Sequence, residues 1–191
     1  MSTTIVIRSC CKDGSSHGGF KWPLEIGTTV SCPDWDPTPN CGNGLHGLLP
    51  GQNDPGTWHN DGLFLAVEVE KEKIIDLYGK CKYPSGVIRF VAQNMAELTV
   101  WLESNNHHGP WYRSTQTAGD MSTQKAGYRS TQTAGDRSTQ TAGTRSTQTA
   151  GEWSTQTAGD GSTQKAGDRS TQTAGNESTQ TVGEWSTQTA G

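Results

Sequence analysis

Pairs of threonines with one residue between them recur at a fixed spacing through the second part of this 191-residue chain. The unit is Ser-Thr-Gln-Thr-Ala-Gly plus two variable residues, and ten copies run in one phase over residues 114–191. Lys125 and Lys165 replace the second threonine in two of the copies. A fixed period is typical of repeat architectures. We therefore expect function to reside in a regular lattice of threonines rather than in a pocket.

Cysteine and histidine form a second group of reactive residues, in the first part of the chain. Cys32, Cys41 and His46 have the spacing C-x8-C-x4-H, which lacks the close C-x2-C pair of a structural zinc site. Cys41 and His46 could also form a nucleophile and base, although no oxyanion-stabilising element accompanies them. We predict buried thiols and a turn histidine, with no metal, no cofactor and no catalytic residue. Zinc binding and nucleophilic catalysis are the alternatives.

Composition divides the chain into a head, residues 1–111, and a repeat, residues 112–191. The head has 8 Lys and Arg against 12 Asp and Glu, and the repeat has 7 against 7, so neither carries the basic surface of a nucleic-acid partner. No window is apolar enough to span a bilayer, and the first residues lack the apolar core of a signal peptide. We expect a cytoplasmic protein with reduced thiols, with the cell surface or release from the cell as alternatives.

The repeated octad predicts the elements that position the threonines. Alternation in Ser-Thr-Gln-Thr-Ala favours an extended strand, and a glycine such as Gly143 supplies the backbone freedom for a turn. One octad is too short to close a coil between two packed sheets, whereas two octads suffice. The prediction is a mainly β fold, a two-sided β-solenoid of 16-residue coils, about five in number and roughly 24 Å long. Disorder is the alternative that this composition permits.

Serine, glutamine and alanine share one strand face and are predicted inside the solenoid, with threonine outside, because stacked identical amides can hydrogen-bond along the axis. Lys125 and Lys165 then fall on opposite faces. Among the turn residues, Tyr112 and Tyr128 are sixteen apart and should stack, with Trp153 and Trp185 on the same edge. The predicted interior glutamines are Gln116, Gln132, Gln140, Gln148, Gln156, Gln172, Gln180 and Gln188.

The stretch Ala-Gly-Tyr-Arg-Ser-Thr-Gln-Thr-Ala-Gly, residues 126–135, resembles the repeat region of bacterial ice-nucleation proteins. The resemblance covers residues 112–191, about two-fifths of the chain. It implies a non-enzymatic solenoid whose Thr-x-Thr rows order water into an ice-like layer, with Tyr112 and Tyr128 as stacked turn residues. The water-binding residues that it implies are Thr115, Thr117, Thr131, Thr133, Thr139, Thr141, Thr147, Thr149, Thr155, Thr157, Thr171, Thr173, Thr179, Thr181, Thr187 and Thr189.

The chain differs from that family in its short array, its different head and the lack of a distinct cap after the last octad. An open solenoid end presents unpaired strand groups that can template another chain. We therefore expect end-to-end association through the last coil, residues 178–191, and ice nucleation only by assembled chains.

The head is predicted to be a small α+β domain that caps the N-terminal end of the solenoid. Strands are expected over residues 3–9, 62–70, 74–83 and 87–92, and a capping box at Asn94 should begin a helix that ends near Ser104. The pattern Cys41-Gly-Asn-Gly-Leu-His46-Gly, after Trp35, resembles uncharacterised heads that precede octapeptide repeats in bacterial and phage proteins, a resemblance that implies no activity.

Ordering of water, as ice binding or as nucleation after assembly, is thus the predicted function. The alternatives are a structural spacer or self-assembling filament module with a partner-binding head, and an enzyme housed in the head.

Overall fold

A computed structural model describes residues 2–54, 56, 59 and 61–191 of the chain. The chain forms two compact units, Met1–His107 and His108–Gly191. The first unit contains a four-stranded antiparallel sheet with the order β1-β4-β7-β2. Its strands are β1 (Thr3–Cys10), β2 (Thr29–Ser31), β4 (Leu63–Glu70) and β7 (Ser85–Ala92).

A smaller antiparallel sheet, in the order β3-β6-β5, consists of β3 (Leu45–Gly47), β5 (Ile75–Asp76) and β6 (Cys81–Tyr83). The prediction of one strand over residues 74–83 is therefore wrong. Tyr78 adopts a left-handed backbone with φ 67°, and its N–H donates to Asp76 Oδ1 at 2.8 Å. An aspartate that accepts a bond from the backbone two residues on forms a turn, and this turn divides the apolar run into two strands.

The helix α1 (Met95–Ser104) begins at the predicted capping residue. Asn94 Oδ1 accepts a hydrogen bond from Glu97 N at 2.9 Å, and Glu97 Oε2 accepts one from Gln93 N at 2.8 Å. Leu98 and Leu102 are fully buried, as expected from their spacing on one helix face. Two short 3-10 turns, His17–Gly19 and Lys71–Lys73, also lie in this unit.

The core of the first unit lies on the face of β4 where apolar residues alternate. Leu63, Leu65, Val67 and Val69 pack there with Val6, Cys10 and Trp22, as the period-2 pattern of β4 predicts. Phe64 and Ala66, on the opposite face, are also buried. The sheet is therefore covered on both sides.

The second unit is a two-sided β-solenoid, which confirms the predicted fold class. Each octad contributes one strand, and successive strands alternate between two parallel five-stranded sheets with the orders β8-β10-β12-β14-β16 and β9-β11-β13-β15-β17. The strands are β8 (Thr115–Thr117), β9 (Thr123–Lys125), β10 (Thr131–Thr133), β11 (Thr139–Thr141), β12 (Thr147–Thr149), β13 (Thr155–Thr157), β14 (Thr163–Lys165), β15 (Thr171–Ala174), β16 (Thr179–Thr181) and β17 (Thr187–Ala190).

The register of the sheets gives the length of a coil. Thr131 pairs with Thr115 on one side and with Thr147 on the other, a separation of sixteen residues in both directions. Glutamine pairs with glutamine in the same way, as in Gln140 with Gln156. Identical residues therefore lie above one another along each sheet.

The octad glycine acts differently from the prediction. The left-handed backbone that turns the chain belongs to the residue before each serine, and Arg145 and Trp153 have φ of 57° and 58°. Gly143 is instead required by close packing, because a Cβ there would lie 3.0 Å from Gly127 C. The complete left-handed set, with φ between 52° and 62°, is Arg113, Met121, Arg129, Arg137, Arg145, Trp153, Gly161, Arg169, Glu177 and Trp185.

Aromatic residues occupy both edges of the solenoid. Tyr112 and Tyr128 stack with ring centroids 5.6 Å apart, which confirms their predicted contact. The prediction that the tryptophans share that edge is wrong, because an odd number of octads separates them from the tyrosines. Trp153 N donates to Asp168 O at 2.9 Å, and the Arg169 guanidinium lies 4.9 Å from the Trp153 ring on this second edge.

Candidate functional site: two threonine faces

Each sheet of the solenoid presents two outward columns of side chains to solvent. We call the outer surface of the β8-β10-β12-β14-β16 sheet the first face and that of the β9-β11-β13-β15-β17 sheet the second face. The first face carries Thr115, Thr131, Thr147, Thr163 and Thr179 beside Thr117, Thr133, Thr149, Lys165 and Thr181. The second face carries Thr123, Thr139, Thr155, Thr171 and Thr187 beside Lys125, Thr141, Thr157, Thr173 and Thr189.

The outward side chains are exposed, apart from Thr149, which is half-buried. Residues two apart on a strand are separated by about 7 Å, and neighbouring parallel strands by about 4.8 Å. Threonine is β-branched, so its χ1 is restricted and its hydroxyl and methyl groups hold fixed directions. Each face is therefore a regular two-column lattice of hydroxyl and methyl groups.

One lysine interrupts each face, as predicted from the octad count. Lys125 pairs with Thr141 at the first strand of the second face. Lys165 lies between Thr149 and Thr181, inside the second column of the first face. The second face thus keeps four consecutive Thr-x-Thr strands, whereas the first face keeps three before its lysine.

The glutamines lie inside the solenoid and are hydrogen-bonded along its axis. Gln148 Nε2 donates to Gln132 Oε1 at 2.9 Å, and Gln164 Nε2 donates to Gln148 Oε1 at 2.8 Å. The other sheet repeats this pattern, with Gln156 Nε2 donating to Gln140 Oε1 at 2.8 Å. The fully buried glutamines are Gln132, Gln140, Gln148, Gln156, Gln164 and Gln172. Gln116 and Gln180, in terminal coils, are half-buried, and Gln188 is exposed.

A second set of glutamine bonds joins the two sheets. Gln140 Nε2 donates to Thr149 O at 3.1 Å, and Gln148 Nε2 donates to Thr157 O at 3.2 Å, each across the interior. A carboxamide has two N–H donors, and here one lies along the axis and the other crosses the core. The interior amides therefore have hydrogen-bond partners, and these bonds offset the free-energy cost of burying polar groups.

Serine forms a further interior column, as the alternation within the octad predicts, because serine shares a strand face with glutamine. Ser146 Oγ accepts a bond from Ser130 N at 3.2 Å and donates to Gly127 O at 3.3 Å. These bonds fasten each turn to the coil beside it. The predicted site residues did not include those of the two Ser-Thr-Gln-Lys octads, in which Gln124 and Gln164 are interior and Thr123 and Thr163 face outward. Their octad phase alone was a sufficient signal for these four residues.

The cysteine and histidine group of the head differs from the prediction in two respects. Cys41 is exposed rather than buried, and His46 lies in β3 rather than in a turn. Cys32 Sγ donates to Asp34 Oδ1 at 2.9 Å, and burial raises the pKa of that thiol. Burial, followed by the charge of Lys80, lowers the pKa of His46. Within the described residues, no three His, Cys, Asp or Glu side chains gather closely enough to hold a metal ion.

Comparison with known proteins places the repeat half of the chain beside ice nucleation proteins. The chain is 32% identical over 108 residues to ice nucleation protein InaU of Pantoea ananas, an alignment that covers 54% of this chain and 10% of the relative. It is 60% identical over 108 residues to the ice nucleation protein of Pseudomonas fluorescens, with coverage of 54% and 9%. The chain thus spans about a tenth of the length of these curated relatives.

No family model matches the chain, and no solved structure matches it. None of the helices in the described residues is long and apolar enough to cross a membrane. The resemblance to ice-nucleation repeats is confirmed by the two relatives, and the solenoid has the tandem architecture that the resemblance implied.

Proposed function

We propose that the two threonine faces order water and bind ice, and that assembled chains nucleate ice. The observation that carries this proposal is the pair of exposed, in-register Thr-x-Thr lattices on parallel sheets. The names of the two relatives, both ice nucleation proteins, support it.

The threonine faces order water because they are repetitive and rigid. Threonine hydroxyls can donate to and accept from water, while the methyl groups between them leave water to bond with its own neighbours. The sheet spacing of about 4.8 Å repeats the same environment at each coil. The glutamine and serine columns hold the backbone beneath the lattice, so that water meets an ordered surface. A lattice fixed in advance loses little conformational entropy when it binds.

Lysine substitutions on the second face test the proposal, because lysine already occupies the same strand position at Lys125 and Lys165. The variant Thr141→Lys, Thr157→Lys, Thr173→Lys extends the column that Lys125 begins. We expect droplets containing the intact chain to freeze above buffer controls, and this variant to lose most of that elevation. The matched control is Met121→Lys, which adds a positive charge at an exposed turn residue with φ 55°. Equal freezing by the triple variant and the intact chain, both with the same β-sheet circular dichroism, would refute the proposal.

Self-association belongs to the same proposal, because a surface that nucleates ice must exceed a critical size. In the 191-residue chain, β16 and β17 each have a neighbouring strand in their sheets on one side. We expect chains to associate through this coil, and we expect Gln188→Arg, in exposed β17, to weaken the association. Sedimentation at micromolar concentration measures the association. A strict monomer would contradict the proposed self-association, whereas ice binding by single chains is tested separately by the freezing assay.

A structural spacer or filament module is the second candidate function. The axial columns of hydrogen-bonded glutamines favour this candidate, because they would stiffen a rod as well as support a threonine lattice. Filaments in electron micrographs, together with no freezing activity in the intact chain, would favour this candidate.

A further inference from the structure

The first unit contains a cavity of about 680 Å³ that lies beside a buried arginine. Arg8 lies near the C-terminal end of β1, on the side of the strand that carries Val6 and Cys10. Only 7% of its surface is exposed. A charged residue at a core position of an apolar strand is rare unless it has a partner. Arg8 therefore requires an explanation that packing does not supply.

Arg8 forms no ion pair within the part of the chain that the structure describes, although the negative charge of Asp54, which is paired with Lys80, also attracts it. Its Nε has no hydrogen-bond partner, and none of the ion pairs among the described residues includes its guanidinium. The guanidinium carbon lies 5.7 Å from the Trp22 ring centroid, a cation–π contact that offsets part of the desolvation. Burial lowers the pKa of Arg8, which indicates how poorly the cation is solvated. A buried, unpaired cation strongly favours a nearby anion.

None of the other ionisable groups that line the cavity, among the described residues, forms an ion pair with Arg8. Lys80 Nζ lies 2.7 Å from Asp54 Oδ2, and this ion pair neutralises the lysine charge. The pKa of His46 is lowered by burial and by the positive charges of Lys80 and Arg8, so His46 is neutral at pH 7. Asp34 accepts a hydrogen bond from the neutral Cys32 thiol and keeps its negative charge, but it is not paired with Arg8. Arg8 is thus the cation with capacity for a further partner.

We propose that this cavity binds the carboxylate or phosphate group of a small molecule, and that Arg8 pairs with that group. A planar guanidinium matches the oxygens of both groups with two parallel N–H bonds. The cavity has the volume of a small-molecule site, and Phe20 and Trp22 provide an apolar wall for the remainder of the ligand. The site is separate from the threonine faces, so it does not depend on the function proposed for them.

Nuclear magnetic resonance on the intact chain tests the proposal directly through the Arg8 Nε–H signal, which the variant Arg8→Lys assigns by its loss. The probes are succinate, inorganic phosphate and neutral succinamide. We expect a saturable shift of this signal with at least one anion and none with succinamide. A response to succinate alone identifies a carboxylate ligand, and a response to phosphate alone identifies a phosphate ligand. No saturable shift with either anion, or an equal shift with succinamide, overturns the proposal.

Thermal unfolding of two matched variants provides an independent test. Arg8→Met removes the buried charge and keeps an apolar side chain of similar length, so the melting temperature without anion should be equal or higher. The stabilisation by saturating anion should disappear. Arg89→Met, which removes an exposed arginine paired with Glu68, should retain it. Anion stabilisation that persists in folded Arg8→Met overturns the proposal, and if that variant does not fold, the titration of the intact chain decides.

Discussion

Each interior glutamine of the solenoid is hydrogen-bonded both along the axis and across the core. Substitution of one glutamine therefore breaks bonds in both directions. Gln148 donates to Gln132 and accepts from Gln164 along the axis, and it also donates to Thr157 O across the core. Its removal leaves a donor and an acceptor of its neighbours without partners. Buried polar groups without partners each cost about 1–3 kcal/mol. The glutamine column is therefore structural, even though it consists of polar side chains.

Gln148→Ala should lower the free energy of unfolding by about 3 kcal/mol or more, because two neighbouring amides lose a bond and a cavity forms. Urea unfolding followed by circular dichroism measures the change. Gln188→Ala is the matched control, since Gln188 is exposed and its bond to Gln172 is long, at 3.4 Å. The control should change stability by less than about 0.5 kcal/mol. Equal effects of the two variants would contradict a structural role for the column.

Among the elements, the pair β4 and β7 carries a charge interaction that links stability to pH. The pKa of Glu68 is lowered mainly by hydrogen bonds from Arg89, and Thr3 Oγ1 also donates to this carboxylate at 3.0 Å. A carboxylate with a lowered pKa stabilises the fold above its unfolded pKa of about 4.3. The stabilisation is lost as pH falls from there through the folded pKa, because the unfolded state then binds more protons.

Glu68→Gln should therefore destabilise the protein at pH 7 by up to about 1 kcal/mol, the range for a partly exposed ion pair. The difference from the unsubstituted protein should shrink as pH falls below about 4. Chemical denaturation at several pH values measures both quantities. Glu25→Gln, at an exposed carboxylate, is the control. A difference between Glu68→Gln and the parent that is constant from pH 7 to pH 3 would contradict the assignment.

The strands of the repeat were predictable from sequence because several local signals agree. The eight-residue phase sets the strand positions, strand length demands two octads per coil, and amide stacking places glutamine inside. The helix start at Asn94 was predictable for the same reason, since a capping residue and an apolar face coincide there.

The turn geometry and the cavity were not predictable in the same way. The left-handed position holds Arg, Met, Trp, Glu or Gly, so composition does not reveal it. The octad glycine recurs in every copy, and from Gly135 to Gly183 it is required by close packing against the preceding coil. Arg8 sits in a strand of ordinary apolar pattern, and only the three-dimensional fold shows that its side faces the core. Which outward residues contact water or ice remains a proposal.

For the whole molecule, the parity of the octads decides which face each residue joins. Odd octads form the first face and even octads the second, so the insertion or removal of one octad moves every later residue to the opposite face. The removal of two octads shortens the solenoid and leaves the faces unchanged. The distribution of Lys125 and Lys165 on separate faces is a direct result of this parity.

Deletion of residues 130–137 should place both lysines on the second face and leave the first face with threonine at every outward position. If the threonine faces order water, this shorter chain should freeze droplets at a temperature equal to or above that of the intact chain. Deletion of residues 130–145, which keeps the lysines on separate faces, is the control and should lower the freezing temperature. Droplet freezing measures both, and a lower temperature for the eight-residue deletion than for the sixteen-residue deletion would contradict the assignment of function to the faces.

The amide columns also give the solenoid a sense of direction. In each axial bond the nitrogen belongs to the later coil and the oxygen to the earlier one, from Gln132 with Gln116 through Gln180 with Gln164. The small dipoles therefore add along the axis instead of cancelling. Any continuation of the rod, whether by further coils or by a second chain, must present nitrogen to oxygen at the junction. A rod can therefore be extended in one orientation only. Two rods joined through their C-terminal ends would place glutamine Oε1 opposite glutamine Oε1.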